Sequence, residues 1–204
     1  MKLFVSTVSP FSRLTLVSAL AAGIEDMEIS VVNPWANPVT LESVNPFSQV
    51  PTLITDSGTT ILDTIFIARR LLGDGFLKND AETRTASFAL IFIAQVVKNH
   101  SLRRDQLDGT PPHPHIARSR NAIIRALAKA PHFEPDSDRF CHLALGIAYD
   151  YLRLRSPDIY QEHLGEETQR AMQTFTARPW LRATSPEWLE EHMPTQLAEL
   201  RAVQ

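Results

Sequence analysis

Apolar positions along this chain switch period more than once, and the switches mark its elements. Lys2 to Val5 is a short β-prone run. After Ser9-Pro10 the apolar residues Leu14, Val17, Leu20 and Ala21 recur at helical spacing. Pro10 suits the first helical position, where its missing N–H costs nothing, and Ser9 suits the N-cap. Gly23 ends that helix, and Glu28 to Val32 reads as a second strand. Strand, helix and strand in so short a span favour a parallel, right-handed pairing. A proline-punctuated loop from Asn33 to Pro46 follows, with a short helix expected near Thr40 to Val44. Thr52–Ile54 and Thr60–Leu62 flank the turn Asp56-Ser57-Gly58 and make a hairpin. A helix over Thr64–Leu72 closes at Gly73.

Beyond Gly73-Asp74-Gly75 the pattern becomes helical. Segments 82–107, 115–130, 139–155 and 166–177 carry the helical period, separated by 108–114, 131–138 and 156–165. The expected organisation is an α/β domain over 1–75, a linker over 76–81 and an all-helical domain over 82–204. No internal repeat or low-complexity segment interrupts it.

Composition narrows the class without identifying a function. A chain of 204 residues can bury its own core, and its 44% hydrophobic and 21% charged residues are ordinary for a globular protein. The net charge of −3 argues against a general nucleic-acid binder. Charge is unevenly spread, however: residues 98–129 hold seven basic and two acidic side chains. That segment reads either as a solvated helical face or as a surface that attracts an anionic ligand. The single cysteine, Cys141, excludes an internal disulfide and a multi-cysteine zinc site. The short apolar run at the N-terminus is no signal peptide, and no apolar stretch of about 18 residues predicts a membrane span. A cytoplasmic protein is expected.

The stretch Asn45 to Thr64 carries the clearest chemistry. Pro51 stands directly before the apolar run Thr52-Leu53-Ile54, and a proline there is confined to a strand's start or edge. Asp63 stands where the next helix opens. Free backbone groups before the proline and a helix N-terminus after the hairpin can together form one small ligand site.

These motifs resemble those of the soluble glutathione S-transferases, bacterial members with a serine motif in particular. SPFSR (Ser9 to Arg13) sits where the first strand enters the first helix. Asn45-Pro46 with Gln49-Val50-Pro51 resembles the family's segment in which a proline follows a cis peptide bond. Leu62-Asp63-Thr64 stands at the family's acid–serine pair, with threonine for serine. Leu143 to Arg155 and Phe175 to Thr184 resemble late helical segments of bacterial members. The resemblance implies a thioredoxin-like N-terminal domain, an all-α C-terminal domain and a homodimer.

It also implies roles for residues. Val50 would offer its N–H and C=O to the glutathione backbone as an added strand does, shaped by cis Pro51. Asp63 would pair with the γ-glutamyl ammonium, while the helix-start amides and the Thr64 hydroxyl would hold its carboxylate. Gln49 would reach the glycine end or the γ-glutamyl backbone. Ser9 would donate to the sulfur and favour the thiolate, with Ser12 as the backup and Ser6 and Thr7 as weaker candidates; a plain N-cap remains the other reading of Ser9. The implied reaction is attack of the glutathione thiolate on a small hydrophobic electrophile, as in detoxification. A glutathione-dependent isomerase or lyase, or a non-catalytic binding module, is the alternative. Electrophile contact is expected from the helical half, where His100, Arg103 and Arg104 are candidates.

Departures from the pattern matter too. No cysteine stands at positions 6–12, so a mixed disulfide with glutathione is not an option. Arg13 is expected to pair with an acid in the core. His142 and Arg139 occupy places where many members have an aspartate and a serine or threonine, which shifts helix capping to Asp138 or Ser137. Cys141 reads as a buried small apolar residue. The seven histidines, His113 and His115 among them, show no metal-ligand spacing, so no metal is expected.

Overall fold

The structure, a computed structural model, describes residues 1–203. Its single sheet contains β1 (Lys2–Val5), β2 (Glu28–Val31), β3 (Thr52–Ile54) and β4 (Thr60–Leu62) in the order β2-β1-β3-β4. β1 runs parallel to β2, with Lys2 opposite Glu28 and Val5 opposite Val31. β3 is antiparallel to both β1 and β4, so the hairpin follows the Pro51 entry directly. The Val50–Pro51 peptide bond is cis.

Helix α1 (Pro10–Ala21) opens as its sequence requires, with Ser9 in extended conformation accepting from the Ser12 N–H. Ten of its twelve residues are buried, so α1 is covered on nearly every side. A short α2 (Val39–Glu42) and α3 (Thr64–Leu72) complete this part, α3 ending at Gly73 with φ of +54°. Left-handed or mirror-β backbone costs glycine nothing, which is why the helix can stop there abruptly.

The remaining helices are α4 (Asp80–Arg104), α5 (Pro114–Leu127), α6 (Phe140–Arg155), α7 (Pro157–His163), α8 (Glu166–Ala177), α9 (Pro179–Ala183), α10 (Pro186–His192) and α11 (Leu197–Arg201). The sequence pattern anticipates α4, α5, α6 and α8 to within a few residues. It takes 156–165 for a connection, whereas α7 fills most of that span, and it assigns no element to α9, α10 or α11.

The chain groups into two compact units. Among the described residues the first comprises 1–78, 138–140 and 176–203; the second comprises 79–137 and 141–175. The expected division at 75 and 82 assigns the last residues to the helical half, whereas here they group with the sheet. The reason is apolar burial. Leu3, Val5, Leu16, Leu20, Ile29 and Leu53 share one core with Ala183, Leu189, Leu197 and Leu200. The β2 edge is also occupied from this side: the Ile29 N–H donates to Thr195 O at 2.8 Å and the Leu197 N–H to Met27 O at 2.9 Å. That covers backbone groups which an open edge would leave unpaired.

In the second unit Asn99, buried on α4, donates to Ile116 O (2.9 Å) and to Ser119 Oγ (2.8 Å) on α5. These bonds satisfy a buried amide and pin the two helices together. Aromatic rings fill the centre: Phe133 meets Tyr149 at 5.8 Å and Phe175 at 5.6 Å, both edge-on. Burial pushes the Tyr149 phenol well above its ordinary pKa. Cys141 is buried, as its apolar character suggests. Among the described residues no helix is long and apolar enough to cross a membrane.

Candidate functional site

Asn45 builds the approach to the site. Its side-chain amide donates to Gln49 O (2.9 Å) and Thr52 Oγ1 (2.9 Å), and its Oδ1 accepts from the Phe47 N–H (3.0 Å). Thr52 Oγ1 in turn donates to Gln49 O at 2.8 Å. The loop from 45 to 49 is therefore tied to the first residue of β3, and the chain is delivered to Val50 in a fixed position. Among the described residues, neither the N–H nor the C=O of Val50 has a hydrogen-bond partner. A backbone pair left free beside a sheet strand is what an extended ligand can use.

Asp63 forms the opposite wall. It caps α3, accepting from the Ile65 N–H at 3.1 Å, and holds φ at +72°, uncommon for a residue with a Cβ. Its carboxylate is exposed at a helix N-terminus, where the next amides point outward. Thr64 is buried, and its hydroxyl makes no hydrogen bond among the described residues.

One cavity of about 250 Å³ gathers these groups. Gln49, Val50, Pro51, Asp63 and Thr64 all line it, joined by Phe11, Asn45, Phe47 and Leu62. The donors, acceptors and acid suit a zwitterionic, peptide-like ligand, and Phe11 and Phe47 give it an apolar wall. The sequence motifs contain Phe11 and Asn45 without marking them as lining residues. SPFSR puts Phe11 at the second helical position, which in principle announces its place beside the strand ends; Phe47 carries no such signal.

The serines divide. Ser9 is half-buried and committed by its Oγ to the Ser12 N–H at 3.2 Å, and it does not line the cavity. Ser12 is fully buried and its Oγ accepts from the Ser6 N–H at 3.1 Å, so no hydroxyl surface is left for a ligand. Ser6 is itself buried, and Thr7 Oγ1 reaches Glu190 at 3.4 Å. Ser9 is thus the more accessible hydroxyl of the motif at the start of α1.

Other expected residues have structural partners. Arg13 is buried and donates to Leu181 O (2.8 Å) and Thr184 Oγ1 (3.5 Å), a carbonyl and a hydroxyl at the end of α9. Arg139 donates to Gly75 O and Phe76 O, and Asp138 is bound by Arg178. His142 Nδ1 accepts from the Glu134 N–H at 3.3 Å. Arg104 is paired with Asp105 at 2.8 Å. Partial burial, then the charges of Arg155, Arg104 and Arg103, hold the His100 pKa below its ordinary value. Among the described residues no group of three or more His, Cys, Asp or Glu side chains is placed to hold a metal ion.

Comparison with known proteins adds to this geometry. Residues 8–72 match the family model for the glutathione S-transferase N-terminal domain. A glutathione S-transferase from Methylobacterium radiotolerans, solved in complex with glutathione sulfonate, aligns with a TM-score of 0.76 at 22% identity over 91% of this chain and 94% of that one. One from Methylobacillus flagellatus with glutathione bound gives 0.78 at 22% identity, over 91% and 98%. A glutathione transferase family member from Pseudomonas fluorescens with bound glutathione gives 0.76 at 19% identity, over 91% and 98%. A search of curated proteins finds no match.

Proposed function

We propose, for a chain whose residues 8–72 match the glutathione S-transferase N-terminal domain and which shares the fold of such proteins over nine-tenths of its length, that it binds glutathione and activates its thiolate toward a small hydrophobic electrophile. One observation carries the reading: Val50, with its free backbone pair, and the Asp63–Thr64 helix start line the same cavity. Val50 would hold the tripeptide backbone. Asp63 would take the γ-glutamyl ammonium, and Thr64 with the first amides of α3 its carboxylate. Gln49 closes the other end.

Ser9 would act on the sulfur. A free thiol with a pKa of about 8.5 is only a few per cent thiolate at neutral pH. A hydroxyl donor together with the α1 N-terminus would favour the anion, and a roughly hundredfold gain in its ionisation constant corresponds to about 2.7 kcal/mol. The thiol proton leaves to solvent, the sulfur lone pair forms the new C–S bond, and with an aryl halide the halide departs with its bonding electrons. The resemblance and the exposure of Phe47 and Phe66 support a homodimer in which a second copy covers apolar surface. A cytoplasmic, detoxifying role completes the reading.

One observation favours a second reading, a binding module without turnover: Ser9 stands outside the cavity and already serves as a cap. Glutathione–agarose retention with chlorodinitrobenzene turnover separates the two. The transferase reading expects the protein to be retained and active, and Ser9→Ala to be retained but slowed by roughly 10- to 100-fold, the upper bound being complete loss of that gain in ionisation. An unchanged Ser9→Ala rate would remove Ser9 from the chemistry. Retention without turnover would favour the module, and failure of retention would overturn both.

A further inference from the structure

Charge is one-sided around the cavity at Val50 and Asp63. From residue 14 to residue 68 the chain holds six acidic side chains and not one lysine, arginine or histidine. The cavity wall shows the same bias: among the described residues that line it, the Asp63 carboxylate is the single charge. The cations nearest in sequence are placed for other work. Arg13 is buried and donates to Leu181 O and Thr184 Oγ1. Arg69 and Arg70 stand in the last turn of α3, where they complement the negative end of its dipole. Seven further cations lie in 98–129, within the second unit. At the end of the cavity away from Asp63 the polar group is Gln49. Its side-chain amide has no hydrogen-bond partner among the described residues, whereas both amide hydrogens of Asn45 are taken by Gln49 O and Thr52 Oγ1.

We infer, resting on the glutathione reading above, that this site recognises the γ-glutamyl end of its thiol by charge and the carboxyl end by hydrogen bonding alone. Its substrate class is then the γ-glutamyl tripeptide thiols whose terminal carboxyl is free, amidated or esterified. A γ-glutamyl group brings one ammonium and one carboxylate, which Asp63 and the first amides of α3 match. The glycine carboxylate of glutathione brings a second negative charge, and the cavity wall offers it no cation. Taking that charge out of water has a cost that an ion pair would offset and that one neutral N–H offsets only in part. An amide or ester carbonyl accepts from the same Gln49 N–H and gives up less hydration. The stronger hydrogen bond to a carboxylate and its larger loss of hydration therefore oppose each other, and the site discriminates little between the two ends.

Calorimetric titration of the full chain with glutathione, its glycinamide analogue and its glycyl ethyl ester tests this. All three are expected to bind within about threefold of one another, whereas loss of an ion pair would separate them by roughly tenfold or more. Gln49→Lys, at an exposed position, places a cation at the far end. It should tighten glutathione by roughly tenfold and leave the amide within about threefold of its wild-type affinity. A preference of roughly tenfold or more for glutathione over the amide in the wild type would overturn the proposal and leave the glutathione reading standing. An unchanged ratio of the two affinities in Gln49→Lys would overturn it as well, by removing Gln49 from the carboxyl end. Binding of none of the three thiols would overturn the glutathione reading itself, and this proposal with it.

Discussion

Asp63 combines a helix cap with a place on the cavity wall, two features that ordinary mutagenesis would confuse. It caps α3, it sits at φ of +72°, and its carboxylate lines the cavity. Alanine would remove the cap and the carboxylate together and leave a strained residue at positive φ. Asparagine keeps the cap and is among the few residues that tolerate positive φ, so it removes only the charge. Asp63→Asn is therefore expected to melt within about 2 °C of wild type, because its cap ranks equal to aspartate. Its affinity for glutathione should fall roughly tenfold, the equivalent of about 1.4 kcal/mol for one lost ion pair. Calorimetric titration beside a thermal melt checks both, and a large loss of melting temperature with intact affinity would make Asp63 a cap alone. At this scale the sequence was most readable where spacing is short. Pro51 before a strand and Asp63 before a helix follow from local chemistry. Phe47, which reaches the same cavity, is held there by the Asn45 hydrogen bonds, and those depend on a loop path that no periodicity encodes.

Elements were readable in proportion to their length. The hairpin and α3 are found where turn residues and the helical period place them, and α8 matches 166–177. α7, α9 and α10 each begin at a proline, Pro157, Pro179 and Pro186, and span only five to seven residues. Proline at the first helical position is favourable, but in so short an element it reads as a loop signal before the helix has shown a second turn. Gly146 presents the opposite case, a helix-breaking residue inside a long buried helix. A Cβ there would lie 2.4 Å from the Phe175 ring, itself fully buried and packed against Phe133. Gly146→Ala is expected to destabilise the protein by about 1–3 kcal/mol, since overpacking outweighs the gain in helix propensity. Thermal melting should show it, with partial recovery when Phe175→Leu is added. A variant as stable as wild type would mean that the ring moves aside freely.

At the scale of the whole chain, the unit that contains the sheet is discontinuous, and sequence periodicity had no means of showing it. Leu189, Leu197 and Leu200 look like the apolar stripes of ordinary surface helices, yet all three are fully buried in the core below the sheet. Leu197→Ala is expected to cost about 2–5 kcal/mol, the range for a leucine truncated in a packed interior. A melting temperature unchanged by Leu197→Ala would show that the last helix is dispensable to this core.

The order of synthesis inherits this arrangement. On the ribosome, β1, α1 and β2 emerge first, but the Ile29 N–H and the Met27 carbonyl find their partners only when Thr195 and Leu197 have been made. Residues 32–194 must be translated in between, on the order of ten to thirty seconds at typical rates. During that interval the β2 edge and the apolar faces of Leu16 and Leu20 stay uncovered, available to a chaperone or to the same strand of a neighbouring nascent chain.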